Sequence, residues 1–361
     1  MCYKNKIFNI MNKKEAIQQI WRECFNDSDQ YVDMFFSTVY SDADAMTAEH
    51  DGVVVSSILL QRYAMNFHGV TCSVSYICGA ATLKKWRGMG FMTGLVRRAL
   101  RESFERGDLM CALIPAGPAL YRYYERLGFS PVFYADIEHY TSAHTFPHEG
   151  EYTLITDLDA EKVYEFFNSM MMRRPCTVQH TREQYDQILM DNSVSGGSVI
   201  GLSDLCGNIA ALGFVVPVDG EATVTDILAC TPDAEEALLD EIRRRYAGDP
   251  MTVYGYYGGR DYNLDPRGMG RIVNMYECAG ILANAYPGMR LAIRIHDSII
   301  RENNHIYIID GGSAVINDGY GGRLDYDVDM EVFTSIVFGN DVTRRLLDFP
   351  AVRPFMSLML D

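Results

Sequence analysis

The residues best placed to do chemistry sit in one run, "GAATLKKWRGMGFMTGLVRRAL", over positions 79–100, which holds Lys84, Lys85, Arg87, Gly88 and Gly90. No acidic side chain interrupts it. Cations and glycines placed between a buried strand and a helix N-terminus suit an anion. The first-turn N–H groups of a helix lack partners, its dipole favours negative charge, and glycine lets backbone approach a ligand closely. Standing alone, such a loop serves equally as a plain strand-to-helix connector. A dinucleotide-binding reading fails, because no βαβ unit with three spaced glycines precedes an acidic ribose partner.

The elements that must position this run are legible on both sides of it. Ala16, Ile17, Ile20, Trp21, Cys24 and Phe25 recur at helical spacing, and "YVDMFFSTVY" predicts a second helix. "DAMTAEH", "VVVSSILLQRYAMNF" and "VTCSVSYICGAA", separated by Asp51-Gly52 and His68-Gly69, predict three antiparallel strands. Beyond Gly90, the apolar residues Phe91, Met92, Leu95, Val96, Ala99, Leu100 and Phe104 mark a helix with one buried face. "LMCALIP" reads as a buried strand, "PALYRYYERL" as a helix closed by Gly128, and "FSPVFYADIEHYT" as a further strand. The order is αα βββ α β α β.

A second unit starts near Glu151 and repeats αα βββ α β without visible sequence identity. Its strand-to-helix junction, "ACTPDAEEALL", places Pro232 at the first helical position and Asp233, Glu235 and Glu236 in the first turn. Those acids satisfy the positive helix end and repel an anion, so only the first copy suits a phosphate. From Arg267 the character changes again. "GRIVNMYECAGILANAYPG" reads as a helix, strands follow, "DYDVDMEVFTSIVFG" reads as a strand leading into a helix, and the tail ends "FPAVRPFMSLMLD". The expected division is 1–148, 149–266 and 267–361, the last a small α+β domain.

Composition bounds the rest. A chain of 361 residues, 48% of them hydrophobic, fills more than one core. The net charge of −16 argues against nucleic acid and suits a cationic small molecule, and it serves solubility alone equally well. Nine cysteines, scattered and without a CxxC pair, fit free thiols in a reducing cytoplasm. No segment approaches the ~20 apolar residues of a membrane span. No metal is expected: His139, His144 and His148 fall in the presumed linker without a cysteine partner.

The run at 85–90, Lys-Trp-Arg-Gly-Met-Gly, resembles motif A of the GCN5-related N-acetyltransferases, with lysine where that motif carries glutamine or arginine. "LMCALIPAGPALYRYYERLGF" is similar to motif B, with Tyr124, Gly128 and Phe129 in its "YxxxGF". The whole chain resembles the enhanced-intracellular-survival (Eis) type. That resemblance implies an α/β (α+β) fold: two tandem acetyltransferase folds, each a mixed, mostly antiparallel sheet with flanking helices, the second degenerate, followed by a sterol-carrier-protein-like domain. It implies acetyl-CoA as cosubstrate, its pyrophosphate on Lys85, Trp86, Arg87, Gly88, Met89, Gly90, Phe91 and Met92, and its pantetheine and thioester along Cys78, Gly79 and Ala80. It implies a tyrosine general acid, here Tyr124 with Tyr121 one turn earlier as the rival, and a terminal carboxylate, here that of Asp361, as base. Self-association is a further implication.

Those roles are chemically coherent. An alkylammonium of pKa ~10.4 must lose a proton before it attacks a thioester, and a tyrosine of pKa ~10 within reach can protonate a departing thiolate. Strand N–H groups beside Gly79 and Ala80 can polarise the thioester oxygen. The expected activity is acetyl transfer to a primary amine of a cationic small molecule by direct attack. The alternative is a non-catalytic protein that binds an acyl-CoA or an apolar ligand. The two differ in whether the last segment encloses an apolar cavity or packs the chain end against the thioester site.

Overall fold

A computed structural model describes residues 12–256, 264–339, 347 and 349–360. The chain opens with α1 (Lys13–Cys24), α2 (Asp29–Thr38), β1 (Ala45–His50), β2 (Val53–Phe67) and β3 (Val70–Thr82), then continues with α3 (Phe91–Glu105), β4 (Met110–Leu113), α4 (Pro118–Glu125) and β5 (Ser130–Tyr140). Next come β6 (Tyr152–Leu154), α5 (Glu161–Arg173), β7 (Cys176–Gln179), α6 (Arg182–Val194), β8 (Ser198–Asp204), β9 (Ile209–Val218), β10 (Glu221–Ala229), α7 (Pro232–Arg245) and β11 (Met251–Gly255). The last segment carries β12 (Leu264–Ile272), α8 (Met275–Ala285), β13 (Leu291–His296), β14 (Ile306–Asp310), β15 (Ser313–Ile316), β16 (Tyr326–Asp329), α9 (Met330–Val337) and β17 (Pro354–Phe355).

The two tight hairpins follow from their turn residues. Asp51 and His68 have φ of 51° and 46°, and the glycines after them have φ of 76° and 81°. Paired left-handed residues of this kind match the twist of the strands they join. β2 and β3 run long and antiparallel from them. β3 then pairs in parallel with β4 over Val74–Ile77 and Met110–Leu113. Past that contact the two strands part, and β3 runs on toward the loop before α3 paired with β2 but no longer with β4. β10 and β11 repeat the arrangement, parallel over Ala222–Val224 and Met251–Val253.

Among the described residues one sheet runs in the order β17-β7-β2-β3-β4-β12-β5-β11-β10-β9-β8-β6, with β1 beside β2. It is mixed and mostly antiparallel, with helices against it, as the expected fold class requires. Two crossings knit it together: β7 joins the far side of β2, and β5 pairs with β11. The last segment forms a separate sheet, β15-β14-β13-β16.

The structure corrects the sequence reading at three places. The stretch read as a helix from Gly270 begins as a strand: β12 fills the opening between β4 and β5, and the helix starts only at Met275. Crowding accounts for the glycines there, since a Cβ on Gly270 would stand 2.2 Å from Met110 Cε and one on Gly268 2.6 Å from Met356 Cε. The change of character at Arg267 therefore falls inside β12. His139, grouped with the linker histidines although it falls inside the stretch read as a strand, lies in β5 as that strand reading requires and hydrogen-bonds Thr252 through Nδ1 at 2.8 Å.

Candidate active site

The groove follows directly from the parting of β3 and β4. Its walls are Ala80, Ala81 and Thr82 of β3, the loop from Trp86 to Gly90, the first turn of α3, and Ala116, Leu120, Tyr123 and Tyr124 around α4. It encloses about 680 Å³, within the range of small-molecule sites. A 3-10 turn over Lys84–Trp86 leads into Gly88 and Gly90, whose φ values of 76° and 86° require glycine. Arg87 Nε donates to Thr82 O at 2.9 Å and pins this loop to the strand.

The N-terminus of α3 has no side-chain cap and no acid in its first turn. A Cβ on Gly88 or Gly90 would meet nothing within 4 Å, so a ligand can approach the backbone there closely. The equivalent end of α7 is closed. The Thr231 hydroxyl caps it by accepting from Ala234 N–H at 3.1 Å. Asp233 is spent on the N–H groups of Glu149 and Gly150, at 2.8 and 3.0 Å, and on the Tyr152 hydroxyl at 2.8 Å. One helix end can take a phosphate and the other cannot.

The residues expected to bind cofactor divide into three sets. Ala80, Trp86, Arg87, Gly88, Gly90, Phe91 and Met92 line the groove. Cys78 is buried in the core, and Gly79, with φ of 57°, faces the opposite side, where a Cβ would stand 2.4 Å from Cζ3 of Trp21. Lys85 and Met89 lie off the wall; the Lys85 ammonium sits 4.9 Å from the Trp86 ring, and Met89 is exposed.

Of the α4 tyrosines, Tyr121 donates its hydroxyl proton to Pro266 O at 2.7 Å and so binds α4 to β12 rather than facing the groove. Tyr124 lines the groove and is 6% exposed, and burial pushes its hydroxyl up to about 12, so it stays protonated at neutral pH. Among the described residues nothing hydrogen-bonds that hydroxyl. Tyr123, which the sequence reading passed over, lines the same wall and shares a 3.1 Å hydrogen bond with Thr93.

Behind Gly79 the sheet presents a second environment that no local pattern announces. Trp21 Nε1 donates to Asp27 Oδ2 at 2.7 Å, so one indole touches the parted strand and holds a carboxylate. Asp27, Ser28, Tyr31, Asp191, Ser195 and Met359 line a cavity of about 410 Å³. A neighbouring cavity of about 440 Å³ reaches Ile114, just past the end of β4, and shares Asp191, Ser195 and Met359. Burial pushes Asp191 up to about 6, offset in part by the Ser195 hydroxyl and reinforced by the Asp27 charge. Asp361 lies outside the described residues, but Leu360 is buried in the same core as Trp21.

Comparison with known proteins fits this geometry. Residues 11–132 match the family model described as an acetyltransferase (GNAT) domain, so the chain carries such a domain in its first part. No curated protein matches the sequence. Among solved structures, the chain is similar to a probable N-acyltransferase from Enterococcus faecalis V583, with a TM-score of 0.76 at 15% identity, over 95% of this chain and 96% of that one. A GCN5-related N-acetyltransferase from Anabaena variabilis aligns with a TM-score of 0.73 at 13% identity, over 94% and 95%. Eis1 from Mycobacterium abscessus aligns at 0.68 and 13%, over 93% and 90%. At these identities the likeness is one of fold. No helix among the described residues is long and apolar enough to cross a membrane.

Proposed function

We propose that the chain is an acetyl-CoA-dependent N-acetyltransferase that moves an acetyl group to a primary amine of a cationic small molecule by direct transfer. The observation that carries this reading is the contrast between the two helix ends. α3 is uncapped, free of acids in its first turn and opens on a groove that ends at Tyr124, whereas α7 is capped and acidic. The residues fit the cosubstrate: the N–H groups around Gly88–Met92 would hold its pyrophosphate, and Ala80 and Ala81 would pair with its pantetheine arm. Bound there, acetyl-CoA supplies an activated acetyl thioester.

The chain's own groups then have defined tasks. Asp27 and Asp191 hold the acceptor ammonium on the far side of Gly79, and Asp361 takes the proton that must leave before nitrogen can attack. Backbone N–H groups past Ile77, where β3 has left β4, stabilise the carbonyl oxygen. Tyr124 gives its proton to sulfur as the C–S bond breaks. It is restored by the proton that nitrogen sheds once the C–N bond has formed. That Met359, near the chain end, lines the same cavity as Asp191 supports this reading over that of a non-catalytic carrier. The last segment we read as sterol-carrier-protein-like, and the free thiols of the described cysteines support a cytoplasmic setting.

Thiol release from acetyl-CoA, measured over a panel of polyamines, aminoglycosides and lysine peptides beside acetyl-CoA calorimetry, tests the proposal. Release with at least one amine is expected. Binding without release on any amine would return the chain to the non-catalytic class.

A further inference from the structure

The far end of the chain is gripped by side chains that have no part in the chemistry above. β17 runs parallel to β7, with Pro354 beside Cys176 and Phe355 beside Thr177. Ser357 then donates its hydroxyl proton to Asp226 Oδ2 at 2.6 Å, and its carbonyl accepts from His180 Nε2 at 3.1 Å. Asp226 in turn accepts two bonds from Arg174, Nη1 to Oδ2 at 2.9 Å and Nη2 to Oδ1 at 2.7 Å. The Arg174 guanidinium also lies 4.8 Å from the Phe355 ring. All four polar side chains are buried, so the network is held away from water, where such bonds are strongest.

The place of Asp226 in the fold is informative. In the first copy the last parallel pair is Ile77 with Leu113, and Gly79 lies two positions further along β3. In the second copy the last pair is Val224 with Val253, and Asp226 lies two positions further along β10. The sheet register shifts at both points. A position that in the first copy is bare backbone against Trp21 therefore holds, in the second, a carboxylate already committed to Arg174 and Ser357. The next tail residue, Leu358, has φ of 57°, a conformation a leucine keeps only where its surroundings impose it. That turn brings Met359 to the wall it shares with Asp191, and Leu360 into the core around Trp21.

We propose that the second copy serves the reaction as a clamp: Asp226, Arg174 and His180 fix Ser357 and so set where the Asp361 carboxylate meets the acceptor amine. This rests on the role given to Asp361 above. The three are positioning residues, since none of them touches the reacting atoms.

The test compares the full chain with Ser357→Ala, with a chain lacking Leu360 and Asp361, and with both changes combined. Each is measured for kcat with the fastest amine of the panel, for acetyl-CoA affinity, and for hydrogen exchange over residues 354–360. Ser357→Ala is expected to lower kcat by about ten- to 100-fold through misplacement, to leave acetyl-CoA affinity unchanged, and to loosen exchange in the tail. Ser357→Thr, which keeps the hydroxyl, should restore turnover. In the shortened chain Ser357→Ala should cost nothing further, because the group it positions is gone. If shortening lowers kcat but Ser357→Ala does not, the clamp is overturned while the Asp361 reading stands. If shortening leaves kcat intact, the Asp361 reading fails and takes the clamp with it. An equal loss in long and short chains would mark a general packing role and overturn the clamp, as would unchanged exchange in the tail.

Discussion

Tyr124 and Asp191 are both titratable groups displaced by burial, and the displacement suits each to a different task. Removing only the hydroxyl, in Tyr124→Phe, should lower kcat by roughly 10²- to 10⁴-fold and leave acetyl-CoA affinity unchanged, as thiol-release kinetics and calorimetry can show. Unchanged turnover would move the acid role to Tyr123, which shares the wall. Asp191, held up to about 6, loses its charge as pH falls through that value, so the amine KM should rise below pH 6 while acetyl-CoA affinity stays flat. The stability effect runs the other way. A carboxyl whose folded value is raised stabilises the fold below the ordinary carboxylate range and loses that contribution as pH rises through about 6. Asp191→Asn should therefore raise the amine KM at pH 7 and raise the thermal midpoint. A lower midpoint would contradict the burial argument.

At the scale of elements, α3 and α7 are two answers to the same geometry. Giving α3 the acid that α7 carries, in Met92→Asp, should weaken acetyl-CoA binding by about tenfold at low salt, with a smaller loss at high salt. Calorimetry at two ionic strengths measures this, and equal affinity would mean that the helix end does not hold the pyrophosphate. This contrast was legible in the sequence because first-turn charges are local: Gly88, Gly90 and Pro232 do in the fold what their neighbours in the chain suggest, whereas the Thr231 cap was not read there and Asp233 finds its partners in the distant Glu149, Gly150 and Tyr152. Trp21, Asp27 and Asp191 were not legible, since they meet only when α1, the loop after it and α6 converge behind Gly79. β12 was misread for a related reason: its glycines look like a loose helix start until Met110 and Met356 press against them.

For the whole molecule, the expected repeat is visible as two parallel-strand junctions, but the copies are woven together. Asn66 on β2 accepts from Thr177 N–H at 2.6 Å and from Gln179 Nε2 at 3.2 Å, and it donates to the Arg174 carbonyl. Asn66→Ala would strand these buried groups and should cost about 2–3 kcal/mol in denaturant unfolding, with a single transition retained. Two separated transitions would mean that the copies unfold independently. Such coupling between distant segments is what a reading of local periodicity cannot see, although it predicted the elements themselves over most of their length.

The insertion of β12 between β4 and β5 also shapes how the chain reaches this state. During synthesis β4 has β3 on one flank but waits for most of the chain before its other flank is paired. Such a long-range closure slows folding, and an unpaired strand edge invites pairing with another chain. A fragment ending after β5 should therefore aggregate rather than fold to a smaller enzyme, and newly made chains should need shelter on their way off the ribosome.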